Sequence, residues 1–438
     1  MRSPEVSIIG AGLAGTEAAH ALTRRGVCVE LFEMRPSRMT PAHRTDQLAE
    51  LVCSNSFKGT DPLTAHGILK REMERLGSLI LSSAEKTRVP AGKALAVDRT
   101  AFARSITDRI MLDGAIILRR REVEAIEESR PTIIATGPLT SDALAGHLAS
   151  ITASSRLFFY DAISPIIEAD SIDMDHAFPG SRWTDANTDY INCPLDRQGY
   201  SLFLEEVLAA DRVRAHEFED ARFFEACLPI EVLAHRGNDA LRYGPMRPVG
   251  LKDPRTEKRP YAVVQLRREN LQGQAYTLVG FQTRLTYPEQ KRIISMIPAL
   301  RNTRFLRYGS IHRNTYLDSP RILEPDLRLR GSDKIYLAGQ ITGVEGYMES
   351  AAMGIMAGIS VLAKIKGVPF SPPGPETAMG SLIRYITDRT VEKFQPMNTN
   401  FGIMPAPDVP KNRRAEARSE LALHVFEEWV QSMRSVLG

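Results

Sequence analysis

The chain has 438 residues, 43% of them hydrophobic and 25% charged, with a net charge of +3 at pH 7. That length admits two or three domains around a large core, and that composition excludes a disordered or fibrous chain. Four cysteines, and a start that runs from MRSPE straight into VSIIGAG, predict a reducing, cytoplasmic setting without a disulfide framework. No apolar run is read as approaching the ~20 residues of a membrane span, so no membrane association is expected.

The first predicted unit, PEVSIIGAGLAGTEAAHALTRRGVCVELFEMRP, reads strand–turn–helix–strand. Gly10, Gly12 and Gly15 form G-x-G-x-x-G, and the turn Gly10-Ala11-Gly12-Leu13-Ala14-Gly15 opens the helix that Gly26 ends. Those glycines serve a tight turn, close backbone approach to a pyrophosphate, and close packing of helix on strand. The free N–H groups of the helix start then face the phosphates. Glu33 closes the second strand 18 residues after Gly15, where an acid accepts hydrogen bonds from a ribose. A dinucleotide site is therefore expected, and Cys28 within the second strand reads as a small core residue.

Next comes AELVCSNSFKG, in which Cys53 lies between an apolar pair and a Ser-Asn-Ser cluster. Its local sequence leaves open a spare thiol, half of a redox pair, or a nucleophile. RPTIIATGPLT (130–140) reads as a buried strand ending at Thr136-Gly137. Late in the chain, residues 333–363 read as a strand, a turn carrying Gly339, Gln340 and Gly343, and a long helix rich in small residues. In this order the three elements resemble flavoproteins of the glutathione-reductase type, which implies FAD. The fold class expected is α/β, with a Rossmann-like FAD-binding domain that is discontinuous in sequence. Its parts would be 1–150 and 305–370, with a mixed α/β substrate domain inserted at 151–304 and a helical segment at 371–438.

The insert carries short β-like runs, a predicted helix over 201–213, and uneven charge. Residues 151–235 hold 6 Arg against 16 Asp+Glu, whereas residues 236–330 hold 19 Lys+Arg against 8 Asp+Glu. The basic block could track a polyanion, or simply neutralise the acidic block within one domain. Cys227 in EACLPIEV has Glu225 and Glu231 nearby, which disfavour a thiolate, and Cys193 in YINCPL reads as structural. The sequence has no C-x-x-C, zinc spacing, G-x-S-x-G or phosphate-loop motif, so no metal site is expected.

GAGLAGTEAA, AELVCSNSFKG, YDAISPI, YINCPL, EACLPIEV, RPVGL, VVQLRREN, LVGFQT, RYGSIHRNTY and AGQITGVEGYMESAA span residues 10–352. Together they resemble the folate- and FAD-dependent tRNA (uracil-5-)-methyltransferases. The resemblance implies methylation of a T-loop uridine of tRNA at C5, or alternatively of a uridine in large-subunit ribosomal RNA, with no role for DNA. It implies 5,10-methylenetetrahydrofolate as carbon donor, FAD as carrier and reductant, and NADPH or NADH to reduce the flavin. Cys227 and Cys53 match the family's two functional thiols, with Cys227 assigned to attack on C6 and Cys53 to proton transfer or flavin protection. An RNA substrate makes Lys252, Arg255, Lys258, Arg259, Arg267, Arg304, Arg307 and Arg313 candidate phosphate contacts. Tyr347 and Phe281 are candidate stacking rings. An FAD oxidoreductase acting on a small metabolite, which would need neither thiol, and a flavin-bound RNA chaperone are the competing readings.

Overall fold

The computed structural model describes residues 3–152, 157–182, 189–213 and 228–438. Strands β1 (Val6–Ile9), β2 (Val29–Glu33), β3 (Ile116–Arg120), β4 (Thr132–Ile134) and β5 (Ile335–Leu337) form one parallel sheet. Its order is β5-β4-β1-β2-β3. β1, β4 and β5 are buried throughout and, apart from Ser7 in β1, read as apolar or β-branched runs because both sheet faces are covered. Chain order reverses beside β1, and such a switch point opens a crevice at the carboxyl ends of the strands. β5 reaches its place beside β4 only after the whole insert has been traversed.

Two helices cover this crevice. Helix α1 (Leu13–Thr23) follows the glycine turn, and helix α2 (Tyr347–Lys366) follows β5. They meet along a seam of small residues. A Cβ on Gly354 would lie 2.1 Å from the Ala14 carbonyl oxygen, and one on Gly358 would lie 3.1 Å from that of Ala18. By length and composition α2 could cross a membrane, contrary to the reading of the sequence, but 89% of its apolar window is buried inside the fold. Its hydrophobicity serves the core.

One hydrophobic core joins residues from Val6 to Leu148 with residues from Tyr316 to Val436. It includes Phe426 and Trp429 of the C-terminal helix Arg414–Ser432. A second core runs from Ile167 to Leu300 around a six-stranded antiparallel sheet. That sheet's edge strand is Phe305–Arg307. Strands Leu157–Ile163 and Ser310–Tyr316 pair antiparallel where the chain enters and leaves the insert. The insert's helix spans Arg197–Ala209, earlier than the expected 201–213. Asp196 caps its start by accepting from the Gly199 amide at 2.7 Å, and Ala210 is already extended. Cys28 and Cys193 are core residues at 5% and 0% exposure.

The α1–α2 seam has no room for a methyl group. Gly354→Ala is expected to destabilise the protein by about 1–3 kcal/mol and to lower its FAD content, as read by thermal denaturation and flavin absorbance.

Candidate active site

A cleft opens at the carboxyl ends of β1 and β4. Its walls include Gly10 to Ala14, Glu33, Thr136, Gly137, Gly339, Gln340, Tyr347 and Ser350. Gly10 has φ +98°, and a Cβ there would lie 2.6 Å from the Ala135 carbonyl oxygen, so only glycine fits between β1 and β4. A Cβ on Gly12 would meet open space, which leaves the backbone approachable from the cleft. Helix α1 has neither a side-chain cap nor an acid in its first turn. Its first N–H groups and positive dipole end are therefore available to an anion.

Glu33 is 6% exposed. Its Oε1 accepts from the Arg35 amide and from Arg35 Nε, each at 3.0 Å, and its Oε2 accepts from Nη2 at 3.2 Å. Burial pulls the Glu33 pKa upward, but the Arg35 hydrogen bonds and charge outweigh it and hold the carboxyl below its ordinary range. Arg35 also pairs with Glu50 at 3.1 Å. An ionised acid at the end of β2, an uncapped helix start and an open glycine together fit a dinucleotide such as FAD. Gly15 and Gly343 are not part of the cleft wall. Gly15 lets α1 sit against the Gly10 carbonyl, where a Cβ would come within 1.8 Å, and Gly343 makes room for the Phe394 ring.

Cys53 is half-buried beside the cleft. Its amide and that of Ser54 both donate to the Tyr347 hydroxyl oxygen, at 2.9 and 3.2 Å. Burial, and then the neighbouring Cys53, push the Tyr347 phenol well above its ordinary pKa, so it stays neutral with one proton to donate. Arg99 donates to the carbonyls of Leu51 at 2.7 Å and Cys53 at 3.4 Å, and is anchored by Glu269 at 2.9 Å. Asn55, fully buried, donates to the Val97 and Arg268 carbonyls and accepts from Arg267 Nε at 2.9 Å. The thiol loop is thereby fastened to the insert.

Two acids behind Cys53 have opposed titrations. Burial, together with Asp161, drives the Glu345 pKa far upward, and Gln340 Nε2 donates to its Oε2 at 2.8 Å. Burial acts in the same direction on Glu349, but Lys58 at 3.2 Å and His66 at 3.6 Å prevail and hold its pKa at about 2.

Several expected contacts resolve differently. Arg267 is buried and occupied by Asn55, so it cannot meet a phosphate. Phe281 is 1% exposed inside the second core and offers no ring face. Arg255 is engaged by Asp253 at 2.7 Å, and Lys252 by Glu257. Cys227 lies outside the described residues. Its neighbour Glu231 is buried, accepting from Thr283 Oγ1 and the Arg284 amide. Tyr347, the other candidate ring, lines the cleft.

A family model described as glucose inhibited division protein A matches residues 5–369. The methylenetetrahydrofolate--tRNA-(uracil-5-)-methyltransferase TrmFO of Desulfotalea psychrophila is 50% identical over 429 residues, covering 97% of each chain. The protein of the same name from Syntrophus aciditrophicus is 51% identical over 431 residues, covering 98% of each. The chain belongs to the methylenetetrahydrofolate–tRNA-(uracil-5-)-methyltransferase family. Among solved structures, Aquifex aeolicus GidA superposes with a TM-score of 0.70 at 16% identity, covering 99% of this chain and 73% of that one. At that identity the likeness speaks for the fold alone.

For a methyltransferase of this family, Arg35, Arg99, Asn55 and Glu345 are site residues that the sequence did not single out. Arg35 follows the acid that ends β2, which is the one local signal available. Arg35→Met would leave the buried Glu33 and the half-buried Glu50 beside an uncharged side chain. It is expected to cost about 3–5 kcal/mol and to deplete bound FAD, measured by denaturant melts and flavin absorbance. Tyr347→Phe removes the acceptor for two amides, so Cys53 is expected to alkylate faster with iodoacetamide, scored by peptide mass spectrometry.

Proposed function

We propose that this protein methylates C5 of a uridine in tRNA, the T-loop uridine, with 5,10-methylenetetrahydrofolate as the carbon source, in the cytoplasm. The observation that carries the reading is the placement of Cys53, held by Tyr347 at a dinucleotide cleft, in a chain with family identity along nearly its whole length. Bound FAD, reduced by NADPH or NADH, supplies the one-carbon carrier and the reducing equivalents. The chain supplies binding, orientation and proton handling.

Uracil C5 becomes nucleophilic only when a thiolate adds to C6, forming an S–C6 bond and shifting the C5=C6 electrons toward O4. We assign that addition to Cys227. Once C5 has gained its carbon, its remaining proton leaves and the S–C6 bond breaks. We assign the proton to Cys53, whose loop Tyr347 and Arg99 hold in place. Glu345, kept protonated by burial and bonded to Gln340, is a second proton store beside it. Reaching a base within a folded loop requires turning it out of the stack, which an open, partly cationic site favours.

Purified protein given FAD, NADPH and 5,10-methylenetetrahydrofolate is expected to form 5-methyluridine in unmodified tRNA and none in large-subunit ribosomal RNA, by nucleoside mass spectrometry. Cys227→Ala and Cys53→Ala should each lower turnover by roughly 10²-fold or more. Product in ribosomal RNA alone would change the partner. Product in neither RNA from flavin-loaded protein would overturn the reading.

A further inference from the structure

On the surface of the insert three aromatic rings form a ladder. Tyr308 is its middle rung, stacked on Tyr287 at a centroid distance of 4.6 Å and 18°, and on Phe305 at 4.5 Å and 12°. Phe305, the inner rung, packs partly buried against the second core. Tyr287, the outer rung, is 55% exposed, with one face on Tyr308 and the other toward solvent. Neither tyrosine hydroxyl makes a hydrogen bond among the described residues, so polar pairing does not explain why the outer ring is held there.

The surroundings are cationic. Residues 287–313 carry six Lys and Arg against one acid, Glu289. Lys291 and Arg301 are exposed and make no ion pair among the described residues. The strand Phe305–Arg307 also joins the ladder to the thiol site. Phe305 enters the stack, whereas Arg307 is half-buried, with its Nε lacking a hydrogen-bond partner and its charge felt by Arg99, Arg44, Tyr347 and Cys53. An aromatic face open to solvent, in a segment where Arg292 and Arg304 are ion-paired but Lys291 and Arg301 are not, and continuous with a reaction site, has the make-up of a single-stranded nucleic-acid platform. There, bases stack on the rings while Lys and Arg meet the phosphates.

We propose that the Tyr287–Tyr308–Phe305 ladder is a base-stacking platform, on whose outer face a nucleobase of the RNA substrate becomes the fourth rung. This rests on the RNA reading above and deepens it, assigning a specific contact surface outside the cleft. A stacking contact is sequence-tolerant, since every base has a π face, and it adds affinity without releasing counterions. Lys291 and Arg301, by contrast, contribute through phosphates.

The test is tRNA affinity of the FAD-loaded protein across a salt series. Tyr287→Ala and Tyr287→Leu are expected to weaken binding about 5- to 100-fold with no change in salt slope. Tyr287→Leu retains apolar packing on Tyr308 and so separates stacking from folding. Tyr287→Phe should bind as the native protein does, and the fluorescence of Tyr287→Trp should be quenched when RNA is added. A Lys291→Ala, Arg301→Ala double variant should lower the salt slope by about 2. Native affinity in both Tyr287→Ala and Tyr287→Leu would overturn the platform and leave the RNA reading standing. If Tyr287→Phe weakens binding as much as Tyr287→Ala, the ring face is not the contact and the proposal fails. If the native protein binds no RNA, the platform and the RNA reading both fall.

Discussion

One phenolic oxygen holds the site together. The amides of Cys53 and Ser54 converge on Tyr347 Oη, and Tyr347 is the first residue of the helix that packs on the glycine turn. The thiol is therefore registered to the dinucleotide cleft through one side chain and one rigid helix. Arg99 adds restraint from the carbonyl side of the same loop, and Asn55 carries it across to the insert. Where the FAD-type sheet and the insert meet, the amides of Cys53 and Ser54 and the carbonyls of Leu51 and Cys53 are each directed to Tyr347 or Arg99. A half-buried thiol on a loop gains a fixed position when its neighbours are bonded in this way.

The acids near this loop follow a related logic. Glu345 and Glu349 lie within one short stretch and are both buried, yet burial prevails at the first while Lys58 and His66 prevail at the second. One holds a proton and the other holds a charge, the division that opposed environments impose on two neighbouring acids. Farther off, Glu17 and Glu72 are buried at helix starts, accepting from the amides of Leu79 and Ile80 and of Ala378 and Met379. Their pKa values, raised by burial to about 7 and about 8, belong to packing and capping and not to the reaction.

Much of the nucleotide unit was legible because each of its features has a local cause. The glycines of the first turn, the apolar β1 and β4, and Glu33 at the end of β2 are all set by short-range sterics and spacing. The return of β5 was legible from its glycine turn and small-residue helix. What the sequence hid are partnerships over long separations. Arg267 sits in a basic run and looks available to a phosphate, but Asn55, more than two hundred residues earlier, takes its Nε. Phe281 could not be told from a surface ring until the second core closed over it. The aromatic ladder joins a helix start to an edge strand, a pairing that no periodicity announces.

The central claim is that carbon reaches uracil C5 from folate at this flavin cleft. Supplying 5,10-methylenetetrahydrofolate labelled with carbon-13 in its methylene group, alongside unlabelled S-adenosylmethionine, tests it directly by mass spectrometry of nucleosides from the tRNA product. The account predicts 5-methyluridine heavier by one mass unit from the single labelled carbon, with formation depending on bound FAD. Unlabelled 5-methyluridine, or labelled product from flavin-free protein, would contradict it.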